Sequence, residues 1–576
     1  MNSLRKTFEE TVRPNIARVL IIIALMWFVV FFLVVPNVNT IISVFYQNGE
    51  FTLRAPQRLF ASQRARDSLR NSFILAPVLS VTVGFVGVSL VLITEYFRIG
   101  GAKILRLGYM TTLLYGGIVL VSGYRFLYSQ GGYLTNLLAS VIPNFNTQWF
   151  EGFGAVLFVM TFAATGNYMI FLRNALRGVD FQTIEAAQNM GASNFTIIRR
   201  VVLPVILPSL TAVTLFTFMG GLGAMAAPLL VGGREFQTIN PMILSFAQMH
   251  GSRDLAALMA LMLGLSSFIL IGGLAWLERR GHYLSVSKVK TEIVKLKIKN
   301  PVVNVLAHVY AYVLFVIYLA PVVLIILFSF TDSATIARRQ LSISAFTLEN
   351  YRMILTNPRA YRPLFVSGIN SFVAAAIVAF FVLLLCRLIT KYKGRISTFF
   401  DYAFMIPWLL PSILIALGLI TTFGRPQWFM GNRALTGTVV IMVIGYVIIR
   451  IPFTLRLTKA AFFSVDDTLE DAARNLGAKS FYTFFRIIFP VVLPSVMAVF
   501  ALNFNALLTE FDMSVFLYHP LTLPLGVQIR QLTEDAAADN TALTFVYAVI
   551  MMVVSAIVLY LVYGRGTKAI SGDTTG

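Results

Sequence analysis

Long apolar stretches separated by short polar segments follow one another along the whole chain. A helix needs about 20 mostly apolar residues to cross the hydrocarbon core of a bilayer, and twelve stretches reach that length. We place them at about 18–38, 72–95, 107–126, 153–172, 203–230, 255–277, 304–330, 368–390, 401–423, 435–455, 488–512 and 541–563. The pattern predicts an all-α, polytopic membrane protein with twelve spans.

Composition agrees with this class and excludes others. Of the 576 residues, 57% are hydrophobic and 12% are charged, whereas soluble domains average about 45–50% and 25%. The single cysteine, Cys386, excludes a disulfide framework and a cysteine-based metal site, and the four histidines lack ligand spacing. A Gly-x4-Gly-Lys-Ser/Thr phosphate loop is absent. We therefore expect a non-catalytic chain without metal or cofactor, and any ATP would have to be bound by another chain.

The net charge of +21 could suit nucleic acid, but in a membrane protein it first reflects the excess of Lys and Arg in cytoplasmic loops. With both termini placed in the cytoplasm, all twelve lysines fall on the cytoplasmic side. We therefore expect cytoplasmic termini and no nucleic-acid partner. Five outer arginines cluster between the first two spans, either on lipid phosphates as an amphipathic segment or on an acidic partner. They are Arg54, Arg58, Arg64, Arg66 and Arg70.

One segment of the chain occurs twice. Residues 185–210 and 471–496 are identical at 12 of 26 positions, at a constant offset of 286. A second echo consists of Asn71-Ser72-Phe73 and Asn370-Ser371-Phe372, each expected to open the second span of its half. Such internal similarity is typical of a duplicated architecture.

The repeat predicts two six-span halves in tandem, residues 1–277 and 304–576, joined by a basic cytoplasmic linker at 278–303. In each half the repeated segment falls between the fourth and fifth spans, at about 173–208 and 459–494. A contact that the protein makes twice on the cytoplasmic side would explain why both copies are present.

In each copy an acidic residue and two alanines suit the first turn of a short helix, because carboxylates favour the positive end of the helix dipole. A glycine four residues later suits the helix end, where it adopts a left-handed backbone at little cost. These residues are Glu185, Ala186, Ala187 and Gly191 in one copy and Asp471, Ala472, Ala473 and Gly477 in the other. Asp180 or Ser464 could cap the helices. Paired prolines at 204/208 and 490/494 are expected to bend the chain where it re-enters the membrane.

The string EAA-x3-G followed by Leu-Pro pairs resembles the EAA loop of the transmembrane subunits of bacterial type I ABC importers. The resemblance extends over nearly the whole chain, and the second copy departs from it at Asp471, which stands for the family's Glu. It implies the type I permease fold, a bacterial inner or plasma membrane location, and a coupling helix in each loop that docks on a cytoplasmic ATPase.

The resemblance also implies which residues dock. Glu185, Ala186, Ala187 and Gly191 would contact one copy of the ATPase, and Glu470, Asp471, Ala472, Ala473 and Gly477 the other. The two ATPase subunits would use ATP and Mg²⁺, and an extracytoplasmic binding protein would deliver the substrate.

Fusion of two halves into one chain resembles the ferric-iron group of these permeases. The strings FTLENYRMIL (346–355) and TEFDMSVFLY (509–518) are similar to iron- and polyamine-type permeases. Ferric iron is therefore the expected cargo, with polyamine, thiamine and a phosphate or phosphonate solute as alternatives. A gradient-driven twelve-span transporter can also contain internal repeats, but an EAA loop has no role there.

Ionisable residues inside a span are costly and are functional candidates. Glu510 and Asp512 lie near the outer end of the eleventh predicted span, where the first half has two alanines at the same offset. A carboxylate pair beside a pore could attract a cation, or it could snorkel, cap a helix or pair with an arginine of the other half. Asn503 and Asn505 are weaker pathway candidates, since asparagine also joins neighbouring helices by hydrogen bonds.

Overall fold

A computed structural model describes residues 19–561 apart from 48, 114–116, 177–178, 180, 250, 281–294, 299, 339–342, 392–393, 464 and 536. The described part is built from helices and loops, with a small antiparallel hairpin of Tyr46–Gln47 and Glu50–Phe51. The prediction of an all-α fold is confirmed. Most of the basic linker and both suggested caps, Asp180 and Ser464, lie outside the described residues.

The described helices include ten that are continuous, long and apolar enough to cross a membrane. Spans 1, 2, 4, 5 and 6 are Val19–Phe45, Gln63–Tyr96, Gly152–Leu176, Asn194–Leu222 and Arg253–Arg280. Spans 7, 8, 10, 11 and 12 are Pro301–Ser329, Pro358–Lys391, Val439–Phe463, Phe481–Leu508 and Ala538–Leu559. Two bent helix pairs pass the same test of length and composition, and if each is counted as one span, here spans 3 and 9, the number reaches the predicted twelve.

Spans 3 and 9 differ from the single helices that the apolar stretches predicted. Span 3 consists of Ala102–Leu113 and Gly117–Val141 at 111°, and span 9 of Arg395–Leu409 and Ser412–Phe423 at 103°. In span 9 the break has a clear cause, because Leu410 is extended immediately before Pro411, as proline requires of the residue before it. Hydropathy is insensitive to such a break, since both pieces remain apolar.

Shorter helices connect the spans. They are Arg54–Ala61, Phe181–Asn189, Ala226–Val231, Ile239–Gln248, Ser333–Arg338, Glu349–Thr356, Asp467–Asn475, Ser514–Leu517 and Leu525–Asp535, with 3-10 turns at Ile343–Ala345 and Trp428–Met430. The two at Phe181–Asn189 and Asp467–Asn475 come from the repeated segment, and we call them the first and second loop helix.

The paired prolines lie inside spans 5 and 11, each of which remains one helix. Immediately before the first proline of each pair the chain forms a π-helical turn, Ile198–Val202 in one half and Phe484–Ile488 in the other. A π turn is one way for a helix to accommodate a residue that lacks its N–H donor. The proline pairs thus shape the entry into the membrane without ending the helix.

Each half has the same internal packing. Span 2 packs against spans 4 and 5, and span 8 packs against spans 10 and 11. The first span of each half packs against the sixth span of its own half and also against the other half, span 1 on span 9 and span 7 on span 3. Phe32 of span 1 stacks on Phe423 of span 9, and Tyr318 of span 7 lies edge-on to Tyr109 of span 3, each with 5.4 Å between the ring centroids. Spans 1 and 7 thus join the two halves through hydrophobic contacts as well as through the linker.

The second echo in the sequence does not mark structural equivalence. Ser72 Oγ accepts a hydrogen bond from the backbone N–H of Ile239 at 2.9 Å, and Ser367 Oγ accepts one from Leu525 at 2.7 Å. Ile239 and Leu525 are related by the offset of 286, so the counterpart of Ser72 is Ser367, one helical turn before Ser371. Spans 2 and 8 also begin earlier than predicted, at Gln63 and Pro358.

Candidate functional site

The first loop helix, Phe181–Asn189, presents the acidic residue and the first alanine of the repeat at the surface, since Glu185 and Ala186 are exposed. The chain turns at Gly191, whose φ of 79° lies in the left-handed region. The N–H of Ala192 then donates to the carbonyl of Ala187 at 3.0 Å, which is the bond that closes a Schellman-type helix end. The predicted helix end at this glycine is confirmed.

The second loop helix, Asp467–Asn475, ends in the same way. Gly477 has a φ of 78°, and the N–H of Ala478 donates to the carbonyl of Ala473 at 3.0 Å. Its N-terminus is capped by Asp466, whose Oδ1 accepts from the N–H of Thr468 at 2.9 Å. Sequence reasoning missed this cap, although an aspartate immediately before a helix is a common N-cap signal.

Each loop helix is followed by exposed apolar side chains at matching positions. Met190 is 81% exposed and its counterpart Leu476 is 89% exposed, while Phe195 is 72% and Phe481 is 75% exposed. Large apolar side chains exposed together between the end of a loop helix and the beginning of the next span indicate a contact surface. The same surface is present twice, once on each half.

Glu470 has a different environment from its neighbour Asp471. Its carboxylate accepts hydrogen bonds from Arg387 at 2.8 and 2.7 Å and lies 3.1 Å from Lys391 Nζ. The hydrogen bonds from Arg387 are the main cause that lowers the pKa of Glu470 to about 2, against the opposing effect of burial. Asp471 is exposed and pairs with Arg474 on its own helix at 2.8 Å. Glu470 thus points towards the end of span 8, away from the exposed surface.

A cavity of about 520 Å³ lies between the two halves. Its first-half wall is apolar and includes Ala224 and Ala226, which stand 286 residues before Glu510 and Asp512. Its second-half wall carries three charged residues, Arg450, Glu510 and Asp512. We call it the central cavity, and its charged groups all come from one half.

The two carboxylates in the central cavity differ in their hydrogen bonding. Glu510 accepts from the N–H groups of Met513 and Ser514 at 2.7 and 3.0 Å and from the Ser514 hydroxyl at 2.7 Å. It therefore caps the short helix Ser514–Leu517. For Asp512 the described part of the chain supplies no hydrogen-bond or ion-pair partner. Of the pair, Asp512 is the group left free to meet a solute.

Arg450 was missed by sequence reasoning. It lies inside span 10 and lines the central cavity, where it interacts electrostatically with Glu510. Its Nε is buried and finds no hydrogen-bond partner among the described residues. The signal was available, since an arginine within a predicted span is a functional candidate by default.

Asn503 and Asn505 do not line the central cavity. Asn503 Nδ2 donates to Thr454 Oγ1 of span 10 at 2.7 Å, and Asn505 Nδ2 donates to the carbonyl of Ser555 in span 12 at 3.4 Å. Both side chains join span 11 to a neighbouring span by a hydrogen bond, which is the structural role that asparagine commonly has between membrane helices.

The comparisons with known proteins agree with this architecture. The family model described as "binding-protein-dependent transport system inner membrane component" matches residues 20–282 and 383–570. The chain belongs to this family, and it is a multi-pass membrane permease of the ABC importer class.

Individual relatives carry different names. A probable ABC transporter permease protein (y4fN) of Sinorhizobium fredii is 37% identical over 539 residues, which cover 93% of this chain and 94% of the relative. The ferric transport system permease protein FbpB of Actinobacillus pleuropneumoniae is 22% identical over 94% of this chain and 77% of its own length. A putative 2-aminoethylphosphonate transport system permease protein (PhnV) of Salmonella typhimurium is 25% identical over 40% of this chain and 88% of its own.

Proposed function

We propose that this chain is the transmembrane permease subunit of an ATP-driven importer, with one loop helix of each half docked on one of two copies of a cytoplasmic ATPase subunit. The observation that carries the proposal is the loop geometry, which is present twice with the same left-handed glycine and the same exposed apolar pair. In this arrangement the ATPase subunits bind and hydrolyse ATP with Mg²⁺, and this chain supplies the path.

Movement would reach the membrane through rigid elements. Closure of an ATPase dimer would displace the two loop helices, each of which continues within a few residues into a span that packs on the second span of its half. Because spans 1 and 7 each pack against the other half as well as their own, displacement of one half would also act on the other. Such rigid-body motion is a usual way to alternate access.

Orientation forms part of the proposal, with both termini and both loop helices in the cytoplasm. Exposed positions just after the loop helices, such as Met190 and Leu476, should then be shielded from outside, whereas Arg64 should be accessible. We expect a membrane-impermeant maleimide applied to spheroplasts to label Arg64→Cys and to leave Met190→Cys and Leu476→Cys unlabelled until the cells are lysed. The native Cys386 is buried and provides a low background. Labelling of Leu476→Cys in intact spheroplasts would invert the orientation.

We further propose ferric iron, delivered by an extracytoplasmic binding protein, as the cargo. Support comes from the free Asp512 carboxylate on the central cavity and from the ferric permease that matches over nearly the whole chain. A phosphonate is the second candidate, because Arg450 faces the same cavity and guanidinium groups bind phosphonate-type oxyanions well.

The test is the ATPase activity of this chain co-purified with its ATPase in lipid nanodiscs. We expect the binding protein loaded with ferric iron to stimulate hydrolysis, and the same protein without iron to leave it at the basal rate. If only a phosphonate-loaded binding protein stimulated hydrolysis, the cargo would be a phosphonate instead of ferric iron, and the protein would still be an ATP-driven importer. If this chain co-purified with no ATPase, the proposal that it belongs to an ATP-driven importer would be contradicted.

A further inference from the structure

The second loop helix is fastened to the membrane part of the protein by a cluster of charges. Glu470 of that helix faces inward, accepts hydrogen bonds from both terminal nitrogens of Arg387 and lies against Lys391. The three side chains are only 17–25% exposed. Two-pronged binding of a carboxylate by arginine fixes orientation as well as distance.

Arg387 also reaches the far end of the loop. Its guanidinium lies over the ring of Phe484, 5.6 Å from the centroid, at the point where the chain enters span 11. One side chain near the C-terminal end of span 8 therefore contacts both the loop helix and the beginning of the next span. A cation near the C-terminus of a helix is favourable in itself, because it faces the negative end of the dipole.

The first half has apolar residues at the positions of Glu470 and Arg387, whereas Glu95 stands at the position of Lys391 and pairs with two arginines. Ile184 stands 286 residues before Glu470 and is 3% exposed. Spans 2 and 8 share the string Leu-Ile-Thr at 92–94 and 388–390, and in that alignment Val91 stands where the second half has Arg387. In the register of Ser72 and Ser367 the residue at this place is Leu92, which is also apolar. Val91 and Ile184 are both buried and belong to the same hydrophobic cluster. The two loop helices are thus attached by different chemistry.

We infer that Glu470 is a positioning residue, which holds the second loop helix against the end of span 8 through Arg387 and Lys391, and does not dock on the ATPase. The inference rests on the proposed function, because it concerns how a displacement of the loop helix is passed to the span. It assigns docking to the exposed surface of the helix and transmission to the ionic cluster. The first half would transmit the same displacement through Ile184 and Val91.

The chain offers a matched control and a matched rescue. Asp471 is the adjacent carboxylate and pairs only with Arg474 among the described residues, at the exposed surface of the same helix. Asp471→Asn therefore removes the same charge without touching the cluster. The double variant Arg387→Val/Glu470→Ile copies the apolar pair of the first half into the second.

The experiment uses the full chain with its ATPase and binding protein in proteoliposomes, and it measures uptake per ATP hydrolysed. We expect Glu470→Gln to lower that ratio by roughly tenfold while the ATPase still co-purifies and still hydrolyses ATP. Arg387→Val/Glu470→Ile should restore the ratio to within about twofold of the unchanged protein, because an apolar contact replaces the ionic one. A nitroxide at Leu476→Cys should become more mobile in Glu470→Gln and return to its original mobility in the rescue.

Other results would overturn the inference. An unchanged ratio in Glu470→Gln would show that the cluster transmits nothing. Loss of ATPase binding in Glu470→Gln, or a rescue variant that is as impaired as Glu470→Gln, would make Glu470 a docking residue. Failure of the proposed function looks different, since the unchanged protein and Asp471→Asn would then also fail to couple hydrolysis to uptake.

Discussion

Replacing Gly191 and Gly477 together by valine is expected to abolish uptake while the protein still inserts and folds in the membrane. Both glycines have φ near +78° with open space around the Cβ position, so the obstacle is the backbone and not a clash. An ordinary L residue pays about 1–2 kcal/mol in this conformation, and a β-branched one pays more. The helix end would unwind, and the exposed apolar pair that follows it would lose its position.

A matched control separates this effect from general strain. Gly49 and Gly431 also have positive φ, 88° and 67°, and open space around the Cβ position, and both lie far from the loop helices in sequence. Gly49→Val/Gly431→Val should retain uptake. Asparagine tolerates the left-handed region, so Gly191→Asn/Gly477→Asn should stay near the activity of the unchanged protein.

The measurements are co-purification of the ATPase and uptake into proteoliposomes. Normal uptake by Gly191→Val/Gly477→Val would contradict docking through the loop helices. Equal loss in the control pair would show that the effect comes from folding. Single valine variants should leave one loop helix docked and reduce the amount of bound ATPase by about half, since each half is proposed to hold one copy.

The second large effect is expected at the central cavity. Asp512→Asn should lower uptake of ferric iron by roughly tenfold, which corresponds to about 1.4 kcal/mol, because it removes the one cavity carboxylate that the described structure leaves without a partner. Stimulation of the ATPase by the loaded binding protein should persist, since Asp512 lies beyond the opposite end of span 11 from the second loop helix. The variant would therefore hydrolyse ATP with little transport.

Asp539→Asn is the control for this substitution. Asp539 is exposed at the beginning of span 12 and does not line the central cavity, so uptake should not change. If the cargo is a phosphonate, Arg450→Gln should impair uptake and Asp512→Asn should not. Equal uptake by Asp512→Asn and the unchanged protein, with iron as the cargo, would remove Asp512 from the path.

The loop helices show which structural features can be predicted from neighbouring residues and which cannot. A helix that ends four residues after Ala-Ala at a left-handed glycine could be predicted, because a turn of this kind is decided by a few neighbouring residues. The inward direction of Glu470 could not, because it depends on Arg387 and Lys391 more than seventy residues away. The sequence alone predicts Glu470 to dock on the ATPase together with its neighbour Asp471.

In the central cavity, too, some features could be predicted from the sequence and others depend on the tertiary structure. Hydropathy placed Glu510 and Asp512 near the end of span 11, and comparison of the two halves showed that the first half has alanines at the equivalent positions. That Glu510 is occupied as a helix cap while Asp512 is free follows only from the turn that brings Ser514 back to Glu510. Arg450 could have been identified from the sequence as a candidate. That it lines the same cavity wall as Asp512 could not.

The sequence by itself determined the number of spans, the duplication and the glycine-ended loop helices, because hydropathy and turn chemistry are read from neighbouring residues. Only the tertiary structure decided that spans 3 and 9 are bent, that spans 1 and 7 also pack against the other half, and which charged groups meet in the central cavity. The physical reason is that helices in lipid associate through close packing and individual hydrogen bonds rather than through a hydrophobic pattern. An apolar stretch therefore predicts that a helix crosses the membrane, but not which helix it will lie against.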